Sequence, residues 1–146
     1  MSDVHAGSLL LAALTGSAAI LAAMYLLLPA LGLPRLDFTA VTGGWVGATG
    51  RHAKAVGAIV FVFGGIGWAF LYARFWPWHS LMGALAYAAV PFAISMAAIL
   101  PSLNQFRVSI YPVPGFEYVK FGGPNAIIAN AVEHLIFGLC LAIFYR

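Results

Sequence analysis

The stretch Ala53–Ala73 reads AKAVGAIVFVFGGIGWAFLYA, and its one charged residue, Lys54, stands at its beginning. As a helix it would be about 31 Å long, which matches the roughly 30 Å of hydrocarbon in a bilayer. Three further stretches, 8–28, 81–100 and 125–145, are similarly apolar and similarly long. The sequence therefore predicts an all-α integral membrane protein, a bundle of four spanning helices.

The composition excludes most soluble folds, because 63% of the 146 residues are hydrophobic and 8% are charged, whereas soluble domains carry about 25% charged residues. Four spans and their connections use the whole chain, so residues 1–146 are predicted to form a single transmembrane domain. Met1–His5 lacks the basic segment of a cleavable signal peptide, and we expect the first helix to be retained. No basic cluster indicates nucleic acid as a partner, and the single cysteine, Cys140, excludes an intrachain disulfide.

Two connections are long. Residues 32–52 place Phe38 and Trp45 among threonines and glycines, which predicts a short helix lying along the membrane surface or re-entering slightly, although glycine disfavours helix formation. Residues 101–124 alternate apolar and polar side chains and carry Pro112 and Pro114, which predicts an extended or hairpin connection that docks on a partner.

The orientation follows from the basic residues near the span ends. Five lie in or beside the two long connections, whereas Arg74 and Arg146 lie on the other side. By the positive-inside rule, the two long connections are cytoplasmic and both termini lie on the outer side. The five are Arg35, Arg51, Lys54, Arg107 and Lys120.

The fourth span carries an intramembrane polar site made of Asn130, Glu133 and His134. Glu133 and His134 lie about 13 Å beyond the start of the helix, near the bilayer midplane. An acidic side chain at that depth costs on the order of 3 kcal/mol, so Glu133 is expected to face protein or water, or to be protonated. Asn130 lies one helical turn earlier, on the same face.

These three residues allow two interpretations. They are either a proton or ion site, with His134 as an alternative single axial ligand to a pigment or haem, or hydrogen-bonding groups that hold the helices together. No second acidic residue lies in a span to form a relay. His52 and His79 are each about half a bilayer from His134, so a shared metal site is not expected.

Glycines mark the second span, at Gly57, Gly64, Gly65 and Gly67. Small residues let helices approach closely in a bilayer, and the alternative is a groove for a lipid, carotenoid or quinone. Pro91 should kink the third span, which we interpret as structural unless a cavity lies beside it. No cofactor is predicted, with a pigment, quinone or lipid as the alternative.

Three segments resemble a family of small four-helix bacterial membrane proteins that carries a domain-of-unknown-function label. They are LGLPRLDF at 31–38, WAFLYA at 68–73 and EHLIFGLCLAIFY at 133–145. The long connection at 104–123 departs from the family, where a shorter glycine-rich turn is expected. The resemblance implies the fold and a bacterial inner membrane, and it implies no activity.

The sequence holds no phosphate-binding loop, zinc-protease motif or nucleophile with a recognisable base, so no enzymatic activity is predicted. The leading hypothesis is an accessory subunit of a larger, energy-converting membrane complex, respiratory or photosynthetic. It would contact lipids, and other integral subunits through its helix faces and residues 101–124. The alternatives are a small homo-oligomeric transporter or channel that uses Glu133 and His134, and a membrane protein that binds a pigment, quinone or lipid.

Overall fold

The computed structural model describes residues 5–33, 38–99 and 124–145, and every regular element in these ranges is a helix. Helix α1, Ala6–Ala22, continues through a π-helical turn at Ala23–Leu27 into a last turn at Leu28–Ala30. Helix α2 is Phe38–Trp45, and α3 is Gly50–Phe75. Helix α4, Leu81–Ile94, continues through a π-helical turn at Ser95–Ile99, and α5 is Pro124–Phe144. The predicted all-α fold is confirmed for the described residues.

Three of these helices are long and apolar enough to cross a membrane: Ala6–Ala30, His52–Phe75 and Ile127–Phe144. The apolar part of α4, Leu81–Ala97, is shorter. Large apolar side chains also cover the outside of the helices, since Met82 is 73% exposed and Leu26 is 71% exposed. Such a surface suits lipid rather than water. The predicted connection at 101–124 lies outside the described residues, except for Pro124, where α5 begins.

The helices stand in the order α3, α1, α5, α4. Helix α1 packs against both α3 and α5, and α5 packs against α4. The main core forms where small residues of α1, including Ala12 and Ala13, meet Phe137 and Leu141 of α5. Helices α3 and α4 are consecutive in the chain yet contact each other little. The bundle is therefore open along its α3–α4 side.

The α3–α4 hairpin is tied together by aromatic side chains at its turn. The Tyr87 hydroxyl of α4 donates a 2.7 Å hydrogen bond to the carbonyl of Trp68 in α3, and the two rings meet edge to face at 6.4 Å. Ser80 caps α4 by accepting a 3.1 Å hydrogen bond from the Gly83 amide. The segment around Pro77 is a short connection between α3 and α4.

Helix α2 lies against the first turns of α3, and two glycines bring the helices into contact. Gly43 of α2 rests on the backbone of Ala53, and Gly57 of α3 rests on the backbone of Thr39, so a Cβ at either glycine would overlap backbone atoms. The Thr42 hydroxyl donates a 2.9 Å hydrogen bond to the Gly57 carbonyl. The glycines that disfavour an isolated helix here are what let α2 dock, and 38–45 is helical for that reason.

Phe38 turns α2 inward rather than leaving it flat on a surface. It is 8% exposed and belongs to a second apolar cluster with Leu28 and Ala129, against which Phe61 and Met96 pack. Of the two predicted arrangements for residues 32–52, this burial favours a helix that re-enters the bundle.

Candidate functional site

A cavity of about 250 Å³ lies inside the bundle, on the open side between α3 and α4. It reaches the protein surface beside Gly64 and Trp45, which are both exposed. All five helices contribute to its wall, which is mostly apolar. The lining residues are Ser17, Ile20, Phe38, Thr42, Trp45, Val60, Phe61, Gly64, Gly65, Trp68, Pro91, Ser95, Glu133, His134 and Phe137.

Glu133 is the acidic residue of this wall, and it is 2% exposed. Its Oε1 atom has no hydrogen-bond partner among the described residues. None of the described lining residues is Lys or Arg, so the wall supplies no cation to the carboxyl group. Its burial places Glu133 against protein atoms. A buried carboxylate without a partner is costly by several kcal/mol.

Asn130 lies one turn before Glu133 and is fully buried. Its Oδ1 accepts a 3.2 Å hydrogen bond from the Ser95 hydroxyl of α4, while its Nδ2 has no partner among the described residues. Pro91 was interpreted as structural unless a cavity lies beside it, and both Pro91 and Ser95 line the cavity.

His134 presents one ring nitrogen as an acceptor. Its Nδ1 lies 2.8 Å from the carbonyl oxygen of Asn130, and a carbonyl can only accept, so Nδ1 carries the proton. In the neutral imidazole the lone pair is then on Nε2. The ring stands edge to face with Phe92 of α4 at 5.9 Å. These two sequence neighbours on α5 thus differ, since His134 bonds to its own helix and the Oε1 of Glu133 has no partner among the described residues.

Ser17 of α1 provides a third polar group, and it is 1% exposed with no partner for its Oγ among the described residues. The hydroxyl lies directly against Gly65, where a Cβ would overlap it. Gly65 is therefore a close-packing glycine, as one of the two interpretations predicts. Two buried side chains of the wall, Glu133 and Ser17, thus have a polar atom without a hydrogen-bond partner among the described residues.

The other glycines of the second span have different surroundings. Gly57 packs against α2. Gly64 and Gly67 are exposed, and no described atom lies within 4 Å of a Cβ built at either. Neither position packs closely against a described helix. Gly64 lines the cavity, whereas Gly67 does not.

His52 and His79 lie away from this site. His79 belongs to the hairpin, where its Nε2 donates a 3.3 Å hydrogen bond to the carbonyl of Tyr72, and its ring stands edge to face with that of Tyr145 at 5.4 Å. His52 is an exposed residue of the first turn of α3. The structure brings neither of them to His134.

Several wall residues could not be identified from the sequence as site residues. Ser17 stands among small residues that predict helix packing, Thr42 and Trp45 lie in a segment whose helicity was doubtful, and Trp68 is one of several aromatic residues at a span end. The only signal for Ser17 was a hydroxyl inside an apolar helix.

Comparison with known families, curated proteins and solved structures finds no match to this chain.

Proposed function

We propose that this protein spans a bacterial inner membrane four times and binds a small, largely apolar ligand in its central cavity. The observation that carries the proposal is Glu133, a buried carboxyl group that faces an apolar cavity without a partner among the described residues. Ligand sites characteristically combine apolar walls with a few convergent polar groups. A bound molecule with a polar group would supply the contact that the described protein atoms do not.

Helix α4 supplies the fourth span in this proposal. It runs without a break from Leu81 to Ile99, which is about 28 Å at roughly 1.5 Å per residue. That length is close to the roughly 30 Å of bilayer hydrocarbon. The two termini then lie on the same side, which the distribution of basic residues predicts to be the outer one.

The volume of the cavity limits the size of the ligand. A cavity of about 150 Å³ holds a benzene molecule, and sites for drug-sized ligands begin near 300 Å³. A volume of about 250 Å³ therefore suits one substituted ring or a length of acyl or isoprenoid chain. A tetrapyrrole is larger than this space, which disfavours His134 as an axial ligand to haem or chlorophyll within the cavity.

A binding role is compatible with the accessory-subunit hypothesis, because subunits of membrane complexes can hold small molecules; that hypothesis stays a prediction.

A transporter would use the same cavity. Its distinguishing requirement is access from both membrane sides, whereas the exposed residues among the described lining residues are Gly64 and Trp45. Binding is therefore the function that the geometry supports best.

The test compares two substitutions on one helix, Gly64→Phe and Gly67→Phe. Both positions have open space around the added side chain, but only the first lines the cavity. The probe is 4-fluorophenol, a single ring with one hydroxyl group, followed by fluorine NMR on protein purified in a neutral detergent. The probe also partitions into the detergent micelles. This partitioning is common to all samples, and it does not saturate at probe concentrations near that of the protein.

We expect saturable binding to the wild type and to Gly67→Phe, and loss of at least tenfold in affinity for Gly64→Phe. Equal binding by the two variants, or no saturable binding to the wild type, would refute the proposal.

A further inference from the structure

We propose that the ligand of the cavity is a protonated organic amine whose apolar body, most favourably an aromatic ring, fills the space between α3 and α4. This inference rests on the proposed function, because it specifies the ligand of the same site. The inference follows from whether the polar groups of the wall donate or accept hydrogen bonds, and from the aromatic rings that surround these groups.

Three polar groups of the wall can accept hydrogen bonds, whereas the indole N–H groups of Trp45 and Trp68 only donate. The carboxyl group of Glu133 has its Oε1 unpartnered among the described residues. In the neutral imidazole of His134 the lone pair is on Nε2, because Nδ1 donates to the carbonyl of Asn130 at 2.8 Å. The unpartnered hydroxyl of Ser17 can accept as well as donate. A ligand that complements this set donates hydrogen bonds.

The charge of the cavity wall narrows the choice of ligand further. No Lys or Arg is among the described lining residues. The described Lys54 instead lies over the ring of Tyr25, 6.0 Å from its centroid. The charge of an ionised carboxyl group in this setting is neutralised either by a proton or by a cation that enters with the ligand. An ammonium group does this and also donates up to three hydrogen bonds to oxygen and nitrogen acceptors.

The aromatic rings of the wall favour the same ligand. Five of the lining residues are aromatic: Phe38, Trp45, Phe61, Trp68 and Phe137. The faces of such rings attract organic cations, and tryptophan does so best. The same rings bury the apolar body of the ligand away from water. A metal ion fits less well, because it needs several oxygen or nitrogen ligands, and apolar side chains make up most of this wall.

A quinol is the nearest alternative, since its hydroxyl groups also donate hydrogen bonds. A quinol carries no charge, so it fits the protonated form of Glu133 and does not compensate the ionised form. An oxidised quinone offers only acceptors, which cannot bond to the Nε2 lone pair of a neutral His134. The amine is therefore the class that donates hydrogen bonds and also compensates an ionised Glu133.

The experiment measures the affinities of 2-phenylethylamine and 2-phenylethanol by calorimetry at pH 7, with full-length protein in neutral detergent. The two probes have the same ring and the same chain length and differ in the charged donor. We expect the wild type to bind the amine at least tenfold more tightly than the alcohol, because hydrogen bonds to charged groups are the stronger ones. Equal affinities for the two probes overturn the proposal and leave the proposed function intact, whereas binding of neither contradicts the proposed function itself.

Glu133→Gln should abolish the preference for the amine while retaining the affinity for the alcohol. The matched control is Thr15→Val, which also removes a polar group from a long helix. The Thr15 hydroxyl bonds to the carbonyl of Leu11 in its own helix and does not line the cavity, so this variant should keep the preference. A Glu133→Gln protein that retains a tenfold preference overturns the proposal. If Glu133→Gln fails to fold, the comparison of the amine with the alcohol on the wild type decides the question without any variant. Hydroquinone that binds where the amine does not would also overturn it and assign the site to a quinol.

Aminolipids share the chemistry of the ammonium group with free amines. Phosphatidylethanolamine added to the micelles distinguishes the two sources. Competition with 2-phenylethylamine assigns the ammonium to a lipid headgroup, and unchanged affinity assigns it to a free amine. Both results support an ammonium ligand only when the wild type prefers the amine probe.

Discussion

Gly57→Ala should detach α2 from α3. A Cβ at Gly57 would overlap the carbonyl group of Thr39 and lie 2.7 Å from the amide nitrogen of Gly43. These are backbone atoms, so α2 can make room only by moving as a whole. Overpacking of this kind costs about 1–3 kcal/mol, and the lost hydrogen bond from Thr42 to Gly57 adds about 1 kcal/mol. The better helix propensity of alanine offsets about 1 kcal/mol. The net loss is about 1–3 kcal/mol.

Hydrogen exchange read by mass spectrometry measures this loss where it occurs. Amides of Phe38–Trp45 should exchange about 5- to 150-fold faster in Gly57→Ala than in the wild type, because that factor corresponds to about 1–3 kcal/mol. Gly67→Ala is the matched control, since it lies on the same helix and its added methyl meets no described atom within 4 Å. It should leave the exchange of these amides unchanged. If Gly57→Ala leaves α2 as protected as in the wild type, the glycine contact does not hold α2 in place.

Two further substitutions test polar contacts between helices, each by detergent-denaturation curves monitored by circular dichroism. Tyr87→Phe removes the 2.7 Å hydrogen bond to the Trp68 carbonyl and should lower the free energy of unfolding by about 1 kcal/mol; an unchanged midpoint would show that the rings alone hold the hairpin. Ser95→Ala removes the 3.2 Å bond to Asn130, whose amide is fully buried, and should cost about 1–3 kcal/mol because the acceptor is left unsatisfied. A smaller effect than that of Tyr87→Phe would argue that water or another group replaces the serine.

The long helices could be predicted from the sequence because the bilayer imposes their length. The predicted boundaries 8–28, 53–73 and 125–145 differ by at most three residues from the described helices, such as Gly50–Phe75 against 53–73. Hydrocarbon thickness sets the length of each apolar run, and proline or glycine marks its ends. The inward orientation of Glu133 was predictable for the same reason, since an acidic side chain cannot face lipid without a large cost.

The cavity was not predictable, because it depends on which helix each side chain meets. Gly57 and Gly64 are indistinguishable by sequence as glycines of one helix, yet the first is in backbone contact with α2 and the second has open space beside it. Ser17 and Trp68 become wall residues only when α1 and α3 pack side by side. Helix order is set by such contacts over the whole bundle, and hydropathy carries no information about it.

The choice of residues along α3 and α4 keeps the cavity open. At the hairpin end the Trp68–Tyr87 contact ties the two helices, and at the other end Phe38 of α2 fills the bundle. Between these ends α3 presents Gly64 and Gly65 rather than large side chains. Unfilled volume is destabilising where it is enclosed, at about 24 cal/mol per Å³. A Cβ at Gly64 meets no described atom within 4 Å, so this position has room for a larger side chain. The presence of glycine there is consistent with a space that is occupied by something other than the chain itself.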